Sequence, residues 1–242
     1  MPLDLVNFED RARAAVRHFW ANRLKTPDPG ATPTQGGTRA GVLAGKNLDG
    51  FLELIAELVR RNGLPDATLY TSGGTLTLPG YFRATKKWDV LVLDGKRLVA
   101  VLELKSQVGS FGNNLNNRAE EAIGTAQDFW TAYRENAFGD QPRPFAGWMN
   151  LVEDSPASRA IVRESAPHFP VFPEFKGKSY LERYDILCRR LQLESLYDQA
   201  SVITSRQADA TTGDYGEISP GTNLRSFCAK LAGHVAAWAE QR

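Results

Sequence analysis

Two N-terminal segments of the chain have apolar residues at helical spacing. Residues 3–24 mix apolar and charged side chains in a pattern that predicts an amphipathic helix. Residues 48–62 show a stronger pattern, because their apolar side chains share one face when successive residues are placed about 100° apart. The residues on this face are Leu48, Phe51, Leu52, Ile55, Leu58 and Val59. Gly63 follows at the position where a glycine often ends a helix, so we predict a second helix that ends there.

The segment between these two helices, residues 25–45, is rich in proline, glycine and threonine. This composition predicts a long loop or arm instead of a helix or strand. Long segments of this kind in compact proteins tend to be either functional or disordered. With Arg39 and Lys46, this one would be able to fold onto a polyanion.

Apolar strand-like runs are interspersed with helical patterns along the rest of the chain. Predicted strands cover residues 67–71, 75–78, 88–93, 98–105, 145–152 and 200–204. Predicted helices cover residues 117–135, 178–193 and 223–238, and an irregular connection covers residues 154–172. Asp94 and Gly95 are a favoured turn pair that predicts a hairpin. This order of elements predicts one α/β or α+β domain over residues 1–242, with a central mixed sheet flanked by helices.

The composition is that of an ordinary globular protein. Hydrophobic residues make up 42% and charged residues 24%, which excludes collagen-like, coiled-coil and wholly disordered chains. The formal net charge is +1, so no global basic field drives non-specific nucleic-acid binding and any DNA or RNA site must be local. No apolar run approaches the ~18 residues that span a bilayer. The N-terminus also lacks the apolar core of a signal peptide, so we expect an intracellular protein.

Several common types of site do not fit the sequence. The two cysteines, Cys188 and Cys228, are too few for a disulfide framework and lack zinc-site spacing, so we expect core thiols. The three histidines are scattered, which argues against a histidine-metal nuclease. Residues 41–47 lack the glycine spacing and the hydroxyl residue of a phosphate-binding P-loop. We therefore exclude nucleotide hydrolysis.

The most informative segment is the predicted hairpin over residues 88–105. Its two strands are apolar without alternation, which predicts that protein covers both faces of each strand. Tight antiparallel pairing would bring Asp89 close to Glu103, and Lys105 shares a strand face with Glu103. Two partly buried carboxylates without a counter-charge are costly. A divalent cation removes that cost, and Mg²⁺ prefers oxygen ligands of this kind.

Lys105 would then contact a scissile phosphate, or orient an attacking water and help to deprotonate it. This arrangement is typical of enzymes that hydrolyse phosphodiesters. The alternative is that Glu103 and Lys105 are solvated residues at a strand end and that Asp89 is an acid near a turn. Short patterns of this kind also occur by chance.

The spacing of the acids and the lysine resembles the PD-(D/E)xK nuclease core. The wider stretch LPGYFRATKKWDVLVLDGKRLVAVLELKSQVGSFGNNLNNRAEEAIGTAQDFWTAYRE closely resembles the XhoI-like type II restriction endonucleases. The segment HFPVFPEFKGKSYLERYDILCRRL resembles them too, and together the similar regions cover residues 78–152 and 168–205. The resemblance implies the restriction-endonuclease-like fold. It also implies that Asp89 and Glu103 bind metal and that Lys105 is the catalytic lysine.

The same resemblance implies an activity. It implies a Mg²⁺-dependent homodimer that cuts both strands of double-stranded DNA at the palindrome CTCGAG and leaves 5′ phosphates. The main-chain carbonyl of Leu104 would complete the metal ligands, and a cognate DNA methyltransferase would be the functional partner. Trp88 stands where the motif is named for proline, a position that varies in such nucleases. Two alternatives are a structure-selective repair or recombination nuclease with the same core and a catalytically silent DNA-binding domain.

Polar and basic residues near this pattern are candidate DNA contacts. Asparagine can bond adenine and arginine can bond guanine, and helix N-termini favour phosphate. The candidates after the second strand are Asn113, Asn114, Asn116, Asn117 and Arg118. An Asn-rich turn with an N-cap is the alternative for this group. Before Asp89, the residues Arg83, Lys86 and Lys87 are candidate phosphate contacts, or else solvated charges.

Two further residues are possible additions to the site. Gln107 shares a strand face with Lys105 and would bond the phosphate or a metal-bound water, or else is simply a polar strand end. Related nucleases often bring a helix carboxylate to the metal, which makes Glu57 a possible extra ligand. The helical wheel places Glu57 opposite the apolar face, however, and this position predicts exposure to solvent.

Overall fold

The protein is described by a computed structural model that covers residues 3–24 and 48–241. The predicted arm over residues 25–45 and Lys46 lie outside the described residues. The helices of the described part are α1 (Phe8–Arg23), α2 (Asp49–Arg61), α3 (Phe111–Arg134), α4 (Tyr180–Leu193) and α5 (Leu224–Ala239). Its strands are β1 (Thr68–Tyr70), β2 (Thr77–Pro79), β3 (Thr85–Lys87), β4 (Val90–Asp94), β5 (Arg97–Gln107), β6 (Phe145–Glu153), β7 (Gln199–Ser205) and β8 (Gly216–Glu217).

Six of these strands form a mixed sheet in the order β1-β4-β5-β6-β7-β8. Strands β4, β5, β6 and β7 lie at its centre, where β5 pairs with β4 in antiparallel and with β6 in parallel orientation. Strands β2 and β3 form a separate antiparallel pair. The central strands are buried along most of their length, as strands covered on both faces are. The predicted mixed sheet flanked by helices is confirmed.

Helices cover the sheet on both faces. Helices α1, α2 and α5 contribute to one hydrophobic cluster, and α3 and α4 contribute to the other. Leu102 and Leu104 of β5 belong to the first cluster, whereas Val101 belongs to the second. Because strand side chains alternate, Glu103 and Lys105 face the layer of α3 and α4.

The turn of the β4–β5 hairpin lies one residue later than the predicted pair Asp94 and Gly95. Asp94 pairs with Arg97 at the end of the ladder, so the two turn residues are Gly95 and Lys96. Gly95 has φ of 61°, a left-handed conformation that glycine adopts at little cost. Strand β5 runs to Gln107 and therefore includes both Glu103 and Lys105.

The largest difference from the sequence prediction is the start of α3. This helix begins at Phe111 instead of residue 117, so the asparagines lie in its first two turns and not in a loop. Phe111 and Leu115, four residues apart, are both buried and give this polar stretch a helical apolar face. The predicted strand 75–78 is partly wrong too, because a short 3₁₀ turn over Gly74–Leu76 precedes β2. Of the described helices, none is long and apolar enough to cross a membrane.

Candidate active site

The end of the β4–β5 hairpin places Asp89 beside β5. Val90 pairs with Leu102, and the Asp89 amide donates to the Leu102 carbonyl at 3.3 Å. The Leu104 amide in turn donates to Asp89 Oδ2 at 2.8 Å. The Asp89 carboxylate is therefore held against the strand that contains Glu103 and Lys105, which is the proximity that the hairpin predicts.

Lys105 bridges the two acids. Its Nζ atom lies 2.6 Å from Glu103 Oε2 and 3.5 Å from Asp89 Oδ2. The Glu103 side chain is 3% exposed, that of Lys105 is 22% exposed and that of Asp89 is 39% exposed. The structure thus brings the three residues together as one cluster, which we call the carboxylate–lysine cluster, at the rim of the sheet.

A second lysine reaches this cluster from the β2–β3 pair. Lys86 of β3 forms an ion pair with Glu103 and lies 5.3 Å from the ring centre of the buried Trp88. The sequence predicts that a divalent cation neutralises the two acids. That prediction is incomplete, because Lys86 and Lys105 both contact Glu103.

The charges of the cluster shift each other's titration. Burial raises the pKa of Asp89, and the neighbouring Glu103 carboxylate raises it further. Burial alone would raise the pKa of Glu103, but Lys105 and Lys86 outweigh it and lower the pKa. Burial opposes the charged form of Lys105 as well, yet Glu103 and Asp89 prevail and raise its pKa. At neutral pH, Glu103 is therefore ionised and Lys105 is protonated.

The cluster opens into a cavity of about 290 Å³. Four cationic side chains line this cavity: Arg83, Lys86, Lys105 and Arg118. Glu103 and Glu121 lie in its wall, and Trp148 and Tyr197 supply apolar surface. A cavity with more cations than carboxylates in its wall has the charge pattern that suits an anionic phosphodiester held close to a cation site.

The donors at this rim suit a hard metal ion. Asp89 and Glu103 offer carboxylate oxygens, and the Leu104 carbonyl is a main-chain oxygen between Glu103 and Lys105 in sequence. No group of three or more His, Cys, Asp or Glu side chains suited to a metal occurs among the described residues. A metal here would rest on two carboxylates, one carbonyl and water, which is a set that Mg²⁺ accepts.

The predicted DNA contacts fall into two groups. Arg83, Lys86 and Arg118 line the cavity, and Arg118 also pairs with Glu121 at 2.6 Å. Lys87 is exposed on β3, Asn116 and Asn117 are exposed on α3, and the Asn114 side chain donates to the Ser110 carbonyl at 2.9 Å. The Asn113 side chain lies outside the described part of the structure. The alternative of an Asn-rich turn is wrong, because these residues are helical.

Gln107 and Glu57, the two possible additions to the site, make their contacts elsewhere. Gln107 is buried, and its side chain donates to the Gly109 carbonyl, so it holds the turn after β5. Glu57 pairs with Arg11 and with Arg61 on the α1 and α2 side of the molecule. The prediction of solvent exposure for Glu57 was wrong, since the two arginines leave its side chain 19% exposed. They also place it among structural ion pairs instead of at the carboxylate–lysine cluster.

Sequence reasoning missed Asp128 of α3. This side chain is buried, and it accepts hydrogen bonds from the amides of Tyr81 and Phe82, each at 2.7 Å, and from Arg83 Nε at 2.8 Å. A single aspartate within a helix gives no sequence signal of such a role. Its partners lie more than forty residues earlier in the chain.

The known proteins that match the chain in sequence belong to one family. The family model described as Restriction endonuclease XhoI matches residues 30–217. The chain is 59% identical over 196 residues to the type II restriction enzyme XhoI of Xanthomonas vasicola, covering 80% of this chain and 79% of that one. It is 53% identical over 173 residues to the type II restriction enzyme AbrI of Azospirillum brasilense, covering 70% and 77%.

A third relative is more distant in sequence but is covered over more of its length. The chain is 44% identical over 206 residues to the type II restriction enzyme BstVI of Geobacillus stearothermophilus, covering 83% of this chain and 92% of that one. No solved structure matches the chain. The similarity therefore extends over most of the length of three relatives that share one kind of name.

Proposed function

The chain belongs to the XhoI family of restriction endonucleases, and from this premise we propose that it cuts DNA at the palindrome CTCGAG within a restriction–modification system. Members of this family are endonucleases that act on double-stranded DNA, and they generally use a divalent metal.

One observation supports the site most strongly, namely the convergence of Asp89, Glu103 and Lys105 beside a basic cavity. We propose that Asp89, Glu103 and the Leu104 carbonyl hold Mg²⁺. When bound, this ion would polarise the scissile phosphate and lower the pKa of a bound water. The oxygen-only donor set supports Mg²⁺ over softer metals.

Lys105 acts as a cation in this proposal. Its ammonium group lines the basic cavity, from which it contacts the scissile phosphate and balances charge there or orients the attacking water. The other cavity cations, Arg83, Lys86 and Arg118, hold neighbouring phosphates and set the register of the duplex. Exposed Lys87 extends the same basic strand.

Further proposals concern how the chain works with other molecules. A palindromic target has two-fold symmetry, so we propose a homodimer with one cluster acting on each strand. A cognate DNA methyltransferase would protect the genome, because an unprotected target would otherwise be cut. Both activities require access to cellular DNA, which supports a location in the cytoplasm. One six-stranded sheet with helices on both faces supports a single domain in the described part of the chain.

A plasmid with one CTCGAG site tests the proposal. With Mg²⁺, the protein should produce one linear product, and sequencing of its ends should place both cuts within the palindrome. Glu103→Gln should abolish the cut, whereas Glu53→Gln, an exposed acid on α2, should not. Nicking that depends on branches or ends would favour the structure-selective nuclease. Binding without any cut would favour the catalytically silent DNA-binding domain.

A further inference from the structure

The tip of the β2–β3 hairpin exposes two neighbouring aromatic rings. Residues 80–84 connect the paired strands, and Tyr81 and Phe82 within this tip are 55% and 68% exposed. Their ring centres lie 5.3 Å apart at an interplanar angle of 82°. Two large rings held side by side in water form an apolar surface that gains free energy when a partner covers it.

The tip is held in place by Asp128. The buried carboxylate accepts hydrogen bonds from the Tyr81 and Phe82 amides and from the Arg83 guanidinium. A side chain of α3 therefore satisfies two backbone donors of this short connection. Gly80 makes this approach possible, because a Cβ there would lie 2.5 Å from the Arg83 carbonyl and 2.7 Å from Asp128 Oδ2. The backbone that carries the two rings is therefore pre-organised before any partner binds.

The same hairpin leads directly into the carboxylate–lysine cluster. Arg83 lines the basic cavity and Lys86 contacts Glu103 itself. Lys87 is exposed on the same short strand. The exposed rings thus belong to an element whose charged residues are all cations, and a polyanion with apolar faces is the partner that matches both features.

We propose that the β2–β3 tip is a DNA-contacting element in which Tyr81 and Phe82 pack against bases or sugars beside the scissile phosphate. The inference rests on the proposed function and extends it to residues that do no chemistry. Aromatic side chains contact nucleic acids by stacking or by wedging at base steps, and neither mode requires a charge. Asp128 is the positioning residue, since it acts only through the backbone of the tip and through Arg83.

The test measures the affinity of the whole chain for a labelled CTCGAG duplex by fluorescence anisotropy without metal. A Glu103→Gln background allows binding to be followed without cleavage. Replacing both rings in this background, Tyr81→Ala with Phe82→Ala, should weaken binding about tenfold. The slope of log affinity against log salt concentration should stay unchanged, because no phosphate contact is removed.

Two control variants accompany this measurement. The swap Tyr81→Phe with Phe82→Tyr should restore the affinity, because it keeps both rings. Val6→Ala, which alters a 60% exposed apolar residue next to α1 in the other layer, should leave it unchanged. Full affinity of the alanine double variant would overturn the inference. A shallower salt slope would overturn it as well, because it would mean that phosphate contacts were lost from a displaced hairpin.

Cleavage by the wild-type chain separates this inference from the proposed function. If the wild-type chain with Mg²⁺ fails to cut a plasmid with CTCGAG, the proposed function is contradicted and the inference is lost with it. If the wild-type chain cuts and the alanine double variant still binds fully, only the aromatic contact is contradicted.

Discussion

The ammonium group of Lys105 lies 2.6 Å from Oε2 of Glu103, a carboxylate that is almost entirely buried. The two residues share one face of β5 because they are two positions apart on a strand. Their opposite charges keep both side chains ionised, because the charge of each outweighs the effect of burial on the pKa of the other. The strand thus places an anionic and a cationic side chain next to each other, where a metal and a phosphate can bind.

Lys105→Ala should lower the single-turnover cleavage rate at least about 100-fold, as expected when one charge-stabilising donor is removed from a reaction centre. The fold should persist, because the Lys105 side chain lies at the rim of the sheet and Lys86 still pairs with Glu103. Lys96→Ala, which alters an exposed turn lysine, is the matched control and should cut at the wild-type rate. An unchanged rate for Lys105→Ala would exclude a catalytic role for this residue.

Substitutions of the two acids should have the same effect on activity but different effects on stability. Asp89→Asn and Glu103→Gln should both abolish cutting and should retain or tighten metal-free DNA binding, because each removes negative charge near phosphate. Chemical denaturation should show that Glu103→Gln costs about 2 kcal/mol of unfolding free energy, since it leaves two lysines without their buried anion. Asp89→Asn should cost less, because Asp89 is half-exposed. Loss of folding in both variants would remove this support for an active site.

Much of the fold could be predicted because the central strands have an unusually clear pattern. Apolar runs without alternation predicted that β4 and β5 are buried, and β6 and β7 were also predicted as strands. The structure agrees with all four within a few residues. The start of α3 could not be predicted, because its first two turns are rich in asparagine, which favours turns. Burial of Phe111 and Leu115 decided the conformation instead.

The site was predictable only where its residues lie on one hairpin. Asp89, Glu103 and Lys105 are brought together by local pairing, so sequence spacing predicts their proximity. The link from Lys86 to Glu103 crosses between two sheets, and that of Asp128 reaches backbone amides with no side-chain signature. Contacts of this kind depend on tertiary packing, which a single sequence does not specify.

The start of α4 should make stability depend on pH in acid. Ser179 and Glu182 form a capping box there, and hydrogen bonds from Lys178 and from the Ser179 amide lower the pKa of Glu182 to about 2. Because the folded pKa is depressed, the stabilisation is complete above the ordinary glutamate value and is lost as the pH falls toward 2. Glu182→Gln should therefore unfold at a lower temperature at pH 7 but lose this difference near pH 2.

The control for this comparison is Glu194→Gln, which alters an exposed acid just after the last turn of α4. It should show no such dependence on pH. The effect of Glu182→Gln should stay below about 1 kcal/mol, because the side chain is partly exposed and its ion pair is screened. A difference between Glu182→Gln and wild type that persists at pH 2 would contradict the assignment.

Asp128 should couple the helix layer to the hairpin tip. Asp128→Ala leaves the Tyr81 and Phe82 amides and the Arg83 guanidinium without their acceptor, so it should lower the unfolding free energy by about 2 kcal/mol. Hydrogen exchange at the two amides should accelerate, and affinity for the CTCGAG duplex should fall. Asp128→Asn keeps one oxygen for both amides but loses the ionic acceptor of Arg83, so it should rescue the exchange protection more fully than the affinity.

A purely structural role for Asp128 would predict another pattern. In that case Asp128→Asn would rescue exchange protection, stability and affinity to the same extent. The exposed acid Asp140 after α3 provides the matched control, and Asp140→Ala should change none of the three quantities. If Asp128→Ala retains slow exchange at Tyr81 and Phe82 and full affinity for DNA, then the tip is held by its own strands. In that case the positioning role of Asp128 is wrong, even if the aromatic rings themselves contact DNA.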